Sequence, residues 1–514
     1  MFSDQDLHQI KERGSSIENV EQQITHFKNN FPPLQLVETP VVGKGIIQVT
    51  EEQNEKFRNL YNAKSGELKL LKFVPASGAA TRMFKELFAF VSSYDGSEAA
   101  YQQLTERGEK DAAFKFLKNL EKFSFYDDLK EAYKKRFGQS LEEGHVKRDY
   151  RNIINTLLSE EGLSYGTLPK ALLKFHQYDE GARTSLEEHF VEGAKYANGD
   201  GNIVNLHFTV SPQHQAKFEQ RVDEIKDQYE SKYEVSYAVS YSIQKPATDT
   251  IAVDLDNQPF RNDDGTILFR PAGHGALIEN LNELDADVIF VKNIDNVVPE
   301  RIQQETYDNK QLLAGILIDT TERIKELLTA LESVTAADDL SSYESFLFEE
   351  LMLQDDSYQQ LQPEEKIDYL KGKLNRPVRA CGVVKNDGDP GGGPFFAKNP
   401  DGSVSLQIVE TAQVDKGNPE QSKIFGKATH FNPVDLVCST KDYKGNAFDL
   451  LKFRDPSTGF ITQKSKDGKD LKAQELPGLW NGAMSDWITR FVEVPVITFN
   501  PVKSVNDLLK KEHQ

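Results

Sequence analysis

The chain has 514 residues, with 61 lysines and arginines against 81 aspartates and glutamates, for a formal charge of −20. That balance repels a nucleic-acid backbone, and no basic stripe with interleaved aromatics offsets it, so nucleic acid is not an expected partner. Cys381 and Cys438 are the only cysteines, which excludes a disulfide framework and a four-cysteine metal centre. No run approaches eighteen apolar residues and the opening segment has no signal-type apolar core, so the expectation is a soluble, cytoplasmic protein without a membrane partner.

Residues 1–66 are predicted as an arm of helices and loops, broken at Pro32, Pro33 and Pro40. At Lys69 to Lys85 (KLLKFVPASGAATRMFK) an apolar run ends in small residues and then a Thr-Arg pair. Leu70, Leu71, Phe73 and Val74 predict a short buried strand. The turn over Ala76, Ser77, Gly78, Ala79, Ala80 and Thr81 is small enough to close around an anion. Met83, Leu87, Phe88 and Val91 recur at helical spacing, so a helix is predicted to start at Thr81, its free N–H groups favouring negative charge and Arg82 within reach. Many strand-to-helix turns of this kind bind nothing.

Residues 86–165 are predicted as an inserted helical subdomain, charged and helix-periodic. A fragment LPKALLKFH follows at Leu168 to His176, and a helix over Asp179 to Ala197 with Thr184 or Ser185 as N-cap. Strand, helix and strand then alternate at 203–210, 212–229, 233–243 and 287–291, which predicts an α/β fold with a mainly parallel sheet covered by helices on both faces. A hairpin is expected around Asp263-Asp264-Gly265, a helical insertion over 301–375, strand-rich chain from Pro377, and a short helix at Val505 to Lys511. No internal repeat or long linker divides the chain, so 67–510 is expected to be one large domain with insertions.

The stretch Arg270 to Pro299 places a Gly273-His274-Gly275 turn at a helix start, then a buried strand, then Asp295 just past its carboxyl end, the edge where open α/β sheets bind ligands. The plainer alternatives are an Asx-turn for Asp295 and a helix-start hydrogen bond for His274. Positive charge for a nucleotide would have to come from a few points: Arg82, Lys170 and Arg270. Asp254 and Asp256 form a D-x-D that either marks a metal-dependent glycosyltransferase or is a polar strand face.

These fragments, in order, resemble the sugar-nucleotide pyrophosphorylases, including the UDP-sugar uridylyltransferases. The 76–82 turn with Pro169-Lys170 is similar to that family's G-x-G-T-R-M and P-K, split here by about eighty residues, with Ser77 and Ala80 standing where the family has glycine. The resemblance implies a nucleotide-diphospho-sugar transferase (GT-A-like) fold. By the same resemblance Arg82 and Lys170 hold the triphosphate, Gln244 and the Gly273 turn read a uracil base, and Asp295 binds Mg²⁺. The segment 381–415, with PGGG and Ile-Val-Glu, resembles the family's sugar-binding stretch, implying that Gly392 or Gly393 approaches the sugar and Glu410 accepts from its hydroxyls. FNPVKSVNDLLKK resembles the segment supplying a second metal ligand, Asn506 or Asp507. The implied reaction joins UTP to a sugar-1-phosphate and releases pyrophosphate. A glycosyltransferase and a non-catalytic nucleotide-binding protein are the rival implications. The chain as a whole is also similar to a bacterial family labelled domain of unknown function 4301.

Overall fold

The computed structural model describes residues 2–514 except 79, 387, 389 and 390, with backbone alone at 433 and 434. The chain folds into two compact units, each discontinuous in sequence. The first comprises Met1–Leu71, Gln244–Val291 and Asn309–Val496; the second comprises Lys72–Ile243, Lys292–Asp308 and Ile497–Gln514.

In the first unit the principal sheet is mixed and mainly parallel. Its strands run in the order Val41–Val42, Gly45–Ile47, Ile488–Glu493, Val378–Lys385, His430–Ser439, Val288–Lys292. Gly45–Ile47, Ile488–Glu493 and Val378–Lys385 are parallel, and His430–Ser439 is antiparallel to Val378–Lys385. Val378–Lys385 is buried along seven of its eight residues, as a central strand covered on both faces must be. A second sheet orders Phe269–Arg270, Thr250–Val253, Lys469–Glu475 and Phe460–Lys466, and a third pairs Leu36–Glu38, Gly393–Lys398 and Val404–Val409.

The 1–66 segment is more than helices and loops, because it also contributes three strands of two or three residues, too short to show an alternation. Its helices start where the sequence supplies oxygen caps, Ser3, Ser16 and Thr50. Val20, Ile24 and Phe27 recur on one face of the helix Ile17–Asn29 and bury against Ile251 and Val253. The long helix Gln303–Leu331 gives most of its length to this unit.

In the second unit the strand Ile203–Val210 pairs in parallel with Ser236–Ile243 along its whole length, flanked in the sheet order by Leu70–Pro75. The helix Ser185–Tyr196, capped by Thr184 in a capping box with Glu187, and the helix Gln215–Tyr233 pack Phe190, Val191, Phe218 and Val222 against the strand residues Val204, Leu206 and Phe208. Residues 85–158 form six short helices around their own aromatic core, including Phe84, Phe116, Phe123, Phe125 and Tyr133. Among the described residues no helix is long and apolar enough to cross a membrane.

Two expected boundaries move. The helix after the 76–82 turn starts at Lys85, not Thr81. Ala80–Arg82 form a 3-10 turn, and the N-cap is Phe84, which offers no side-chain acceptor. The terminal helix is replaced by 3-10 turns at Val505–Leu509 and Lys511–His513.

Candidate functional site

In the second unit the 76–82 turn is tied to chain that returns ninety residues later. The Ala80 amide donates to the Leu168 carbonyl at 3.0 Å and the Thr81 hydroxyl to the Gly166 carbonyl at 3.4 Å. That closure delivers Lys170, whose ammonium donates to Asp295 Oδ2 at 2.6 Å and to the Val502 carbonyl at 2.8 Å. The Asp295 carbonyl in turn accepts from the Val502 amide at 3.1 Å. Lys170 and Asp295 are both mostly buried, 16% and 17% exposed along their side chains, so their pairing is stronger than that of a surface ion pair. Arg82 is exposed.

The turn is a weaker anion cradle than expected. Of its amides, Ala76 donates to Thr209 and Ala80 to Leu168, so neither N–H can point at a ligand. Ser77 and Gly78 lie on the described part of the turn, whereas the Ala79 assignment falls outside the described residues.

The strand that leads to Asp295 ends in a buried charge cluster that the sequence did not announce. Glu192 bridges Lys72 at 2.8 Å and Lys292 at 2.7 Å, all three with at most 1% exposure, and Tyr196 donates to the same carboxylate at 3.0 Å. Although burial opposes ionisation, the two ammonium groups hold the Glu192 carboxyl well below its usual range. His189 lies beside them, and burial followed by repulsion from Lys72 keeps it neutral. Its Nε2 meets the Ile294 carbonyl at 3.2 Å, which as a donor places the backbone leading into Asp295. Three positions apart on a helix buried at ten of its twelve residues, His189 and Glu192 carry no periodic signal separating them from core.

Of the two proposed second metal ligands, Asp507 is otherwise engaged. Asp507 Oδ2 accepts from the Ser504 and Lys503 amides in a capping box, and Oδ1 pairs with Lys510 at 2.8 Å. Asn506 Nδ2 donates to the Ala112 carbonyl at 2.9 Å, while its Oδ1, the atom a metal would use, is buried without a hydrogen-bond partner among the described residues. Among the described residues no group of three or more histidines, cysteines or carboxylates could hold a metal alone. Asp295 itself presents a hard oxygen donor of the kind Mg²⁺ accepts when phosphates complete its shell.

In the first unit the Gly273-His274-Gly275 turn does open a helix, through a 3-10 turn at His274–Ala276 into Leu277–Asn282. Gly275 is required, since a Cβ there would lie 2.1 Å from the Pro477 carbonyl oxygen; Gly273 (φ +78) would bring one 2.7 Å from Glu475. The Leu476 amide donates to the Ala272 carbonyl at 3.0 Å, so the segment 475–482 is clamped on the turn. Trp480 stacks on the His274 ring with centroids 6.0 Å apart. Burial pushes the His274 pKa down to about 4, leaving a neutral imidazole whose Nε2 stands 4.0 Å from Glu410 Oε1.

Glu410 follows the strand Val404–Val409. Its pKa is raised by burial and then by the neighbouring Glu475 charge, against a hydrogen bond from Asn481. Gly392 runs alongside so closely that a Cβ would sit 3.2 Å from Glu410 Cγ, and Gly393 pairs with Val409 across the sheet. The expected residues Gly273, His274, Gly392, Gly393 and Glu410 therefore gather, joined by Glu475, Trp480 and Asn481. The only signal for these three is a tryptophan set between Gly478 and Gly482.

Gln244 turns toward Thr248 and Asp249, 3.4 Å from each, instead of joining that group. Asp254 Oδ1 accepts from the Asp256 and Gln258 amides, so the D-x-D makes an Asx-turn.

The molecule is thus a mixed α/β protein with a mainly parallel sheet, a lysine–aspartate pair at one strand end and a glycine-lined histidine–glutamate group. It belongs to the family described as Domain of unknown function (DUF4301), whose model matches residues 3–514. No curated protein matches the sequence. Among solved structures it is similar to a UDP-glucose pyrophosphorylase from Leishmania major in complex with UDP-glucose, at 12% identity and TM-score 0.42, covering 99% of this chain and 79% of that one. Open and closed structures of the Leishmania major enzyme match at 12% identity and TM-score 0.43 over 98% and 77%. A UDP-glucose phosphorylase from Trypanosoma brucei matches at 14% identity and TM-score 0.36 over 67% and 60%.

Proposed function

We propose that the protein is a nucleotidyltransferase in which a sugar-1-phosphate oxygen attacks the α-phosphorus of a nucleoside triphosphate, UTP by preference, and pyrophosphate leaves. The observation that carries this reading is the Lys170–Asp295 pair, held at a strand end beside the 76–82 turn. The reaction asks for alignment and charge neutralisation and needs no covalent nucleophile. Lys170 offers an ammonium that exchanges its Asp295 and Val502 acceptors for phosphate oxygens, with exposed Arg82 as a second cation. The Asp295 carboxylate so released would hold Mg²⁺, which when bound supplies further neutralisation of the phosphates. Asp507 is not assigned to it, because its oxygens are engaged in the cap.

In the first unit the reading gives hydroxyl recognition to Glu410 and Gly392, and base recognition to the Gly273–Gly275 turn. A neutral His274 suits an uncharged base or sugar better than a phosphate. Gln244 keeps a role only if it leaves Thr248 and Asp249.

A second reading, nucleotide binding without turnover, is favoured by the engaged amides of Ala76 and Ala80. Pyrophosphate release from UTP with a panel of sugar-1-phosphates and Mg²⁺ decides between them. Asp295→Asn is expected to lower turnover by about a hundredfold or more, equivalent to ~2.7 kcal/mol of barrier, with the native fold retained by circular dichroism although the unfolding midpoint falls as Lys170 loses its counter-charge. Wild-type rates in that variant would remove the assignment. Saturable UTP binding without pyrophosphate release from any sugar phosphate would favour the second reading.

A further inference from the structure

The first unit contains a cavity of about 470 Å³ that takes no part in the function proposed above. Its apolar surface comes from Ile46, Phe57, Ile316, Leu406 and Phe491. Two walls are pinned by glycines. Gly315, next to Ile316, lets the Phe57 carbonyl come so near that a Cβ would lie 2.0 Å from it, and a Cβ on Gly45 (φ +88) would lie 2.8 Å from Pro40 Cβ.

Two charged side chains in the lining are incompletely satisfied. Arg490 donates one N–H to the Glu350 carbonyl, but its Nε is buried without an acceptor. Burial disfavours its charge, and Glu350 and then Asp319 supply the opposing field. Glu350 is already gripped by Arg323 through two hydrogen bonds, one of 2.8 Å. Asp319 makes no hydrogen bond or ion pair among the described residues. The wall that bears Glu350 is a π-helical turn, Ser345–Glu350, with Met352 just beyond it at φ +59. Wide turns and left-handed non-glycine residues are retained against their conformational cost mostly where a site needs them. A second cavity of the same unit offers a contrast, because its charges are paired with each other, Lys64 with Glu322 at 2.6 Å and Lys441 with Asp287 at 2.8 Å.

We propose that the 470 Å³ cavity binds a free apolar α-amino acid, its carboxylate on Arg490 Nε, its ammonium on Asp319 and its side chain against Phe57, Ile316 and Phe491. The orphan Nε–H lacks an acceptor, and the half-buried Asp319 carboxylate has no donor among the described residues, so a ligand ammonium can take the place of its water. A zwitterion with an apolar body supplies both without changing the net charge of the site. A simple carboxylate would face Asp319 with nothing to offer it, and a simple amine would leave Nε–H unpaired. The volume falls in the range of small-molecule sites, ~300–1,000 Å³.

The test is thermal shift and calorimetry on the full chain with L-phenylalanine and L-leucine, against 3-phenylpropionate and 2-phenylethylamine, each of which carries one end only. Saturable stabilisation by the amino acids is expected, with affinity about tenfold or more above that for either analogue, read as a correspondingly larger Kd for the analogues. Asp319→Asn and Arg490→Gln are each expected to raise the amino-acid Kd about tenfold. If Arg490→Gln does not fold by circular dichroism, Asp319→Asn decides. Absence of any shift at about 10 mM ligand, equal binding of a one-ended analogue, or unchanged affinity in Asp319→Asn overturns the proposal.

Discussion

Glu192 is the residue on which most charge depends. It is fully buried between Lys72 and Lys292, and each of its oxygens meets one ammonium. Replacing it by glutamine leaves two buried ammonium groups facing a neutral amide, a loss of about 3–5 kcal/mol by analogy with other broken buried pairs. Urea unfolding of Glu192→Gln should show a large drop in midpoint with an unchanged slope, and a midpoint near wild type would mean that the cluster relaxes to water. The individual roles differ in how far sequence reveals them. Asp295 is legible because it lies three residues past a strand whose first four residues, Val288 to Val291, are apolar. Lys170 is legible only through the Pro-Lys resemblance, since its partners lie 125 and 332 positions away. Glu192 is illegible, because a carboxylate on a helix is usually solvated and nothing local marks this one as buried.

At the level of elements, the segment 475–482 shows why part of the candidate site escapes local reading. Its contacts are with Ala272, His274 and Glu410, and a segment with no helical or strand period gives no hint of such distant partners. The strand at Leu70–Pro75 and the Thr184-capped helix, by contrast, follow from an apolar run and a capping box. The segment makes a sharp prediction. Gly275→Ala drives a Cβ toward the Pro477 carbonyl and should cost about 1–3 kcal/mol as the loop shifts, with red-shifted emission from Trp480 as it leaves His274. Gly66→Ala is the control. Its φ is −68 and nothing lies within 4 Å of the added Cβ, so it should be neutral or stabilising by about 0.4–1 kcal/mol. Equal behaviour of the two variants would show that the clamp is slack.

For the whole molecule, acid stability rests in part on histidines that fold in neutral form. His513 is nearly fully buried, and its Nδ1 lies 3.1 Å from His176 Nε2, while His176 Nδ1 meets Glu188 at 3.0 Å. Burial, then repulsion from His176 and Lys510, pushes the His513 pKa down to about 3, with Asp507 opposing. A base whose folded pKa is depressed binds fewer protons when folded. Its contribution is therefore complete above pH 6.5, the unfolded value, and is lost as pH falls toward 3. At pH 5 the loss from this residue is ~2 kcal/mol. His274 adds a loss of the same sign between 6.5 and about 4. His513→Gln should flatten the stability curve between pH 6.5 and 4 in chemical denaturation. A wild-type slope in that variant would assign the acid loss elsewhere.

The Lys170–Asp295–Val502 contact draws one residue from each of the three stretches that make up the second unit. On a ribosome these emerge far apart in time: Lys170 early, Asp295 after 125 further residues, and Val502 after another two hundred. Until then the lysine ammonium lacks one of its two acceptors, and the Asp295 backbone lacks the amide that fastens it. The pair thus acts as a latch closed by a stretch of chain made long after it. A translation product stopped before Val502 would carry every other residue assigned to phosphate handling, yet would present them unfastened.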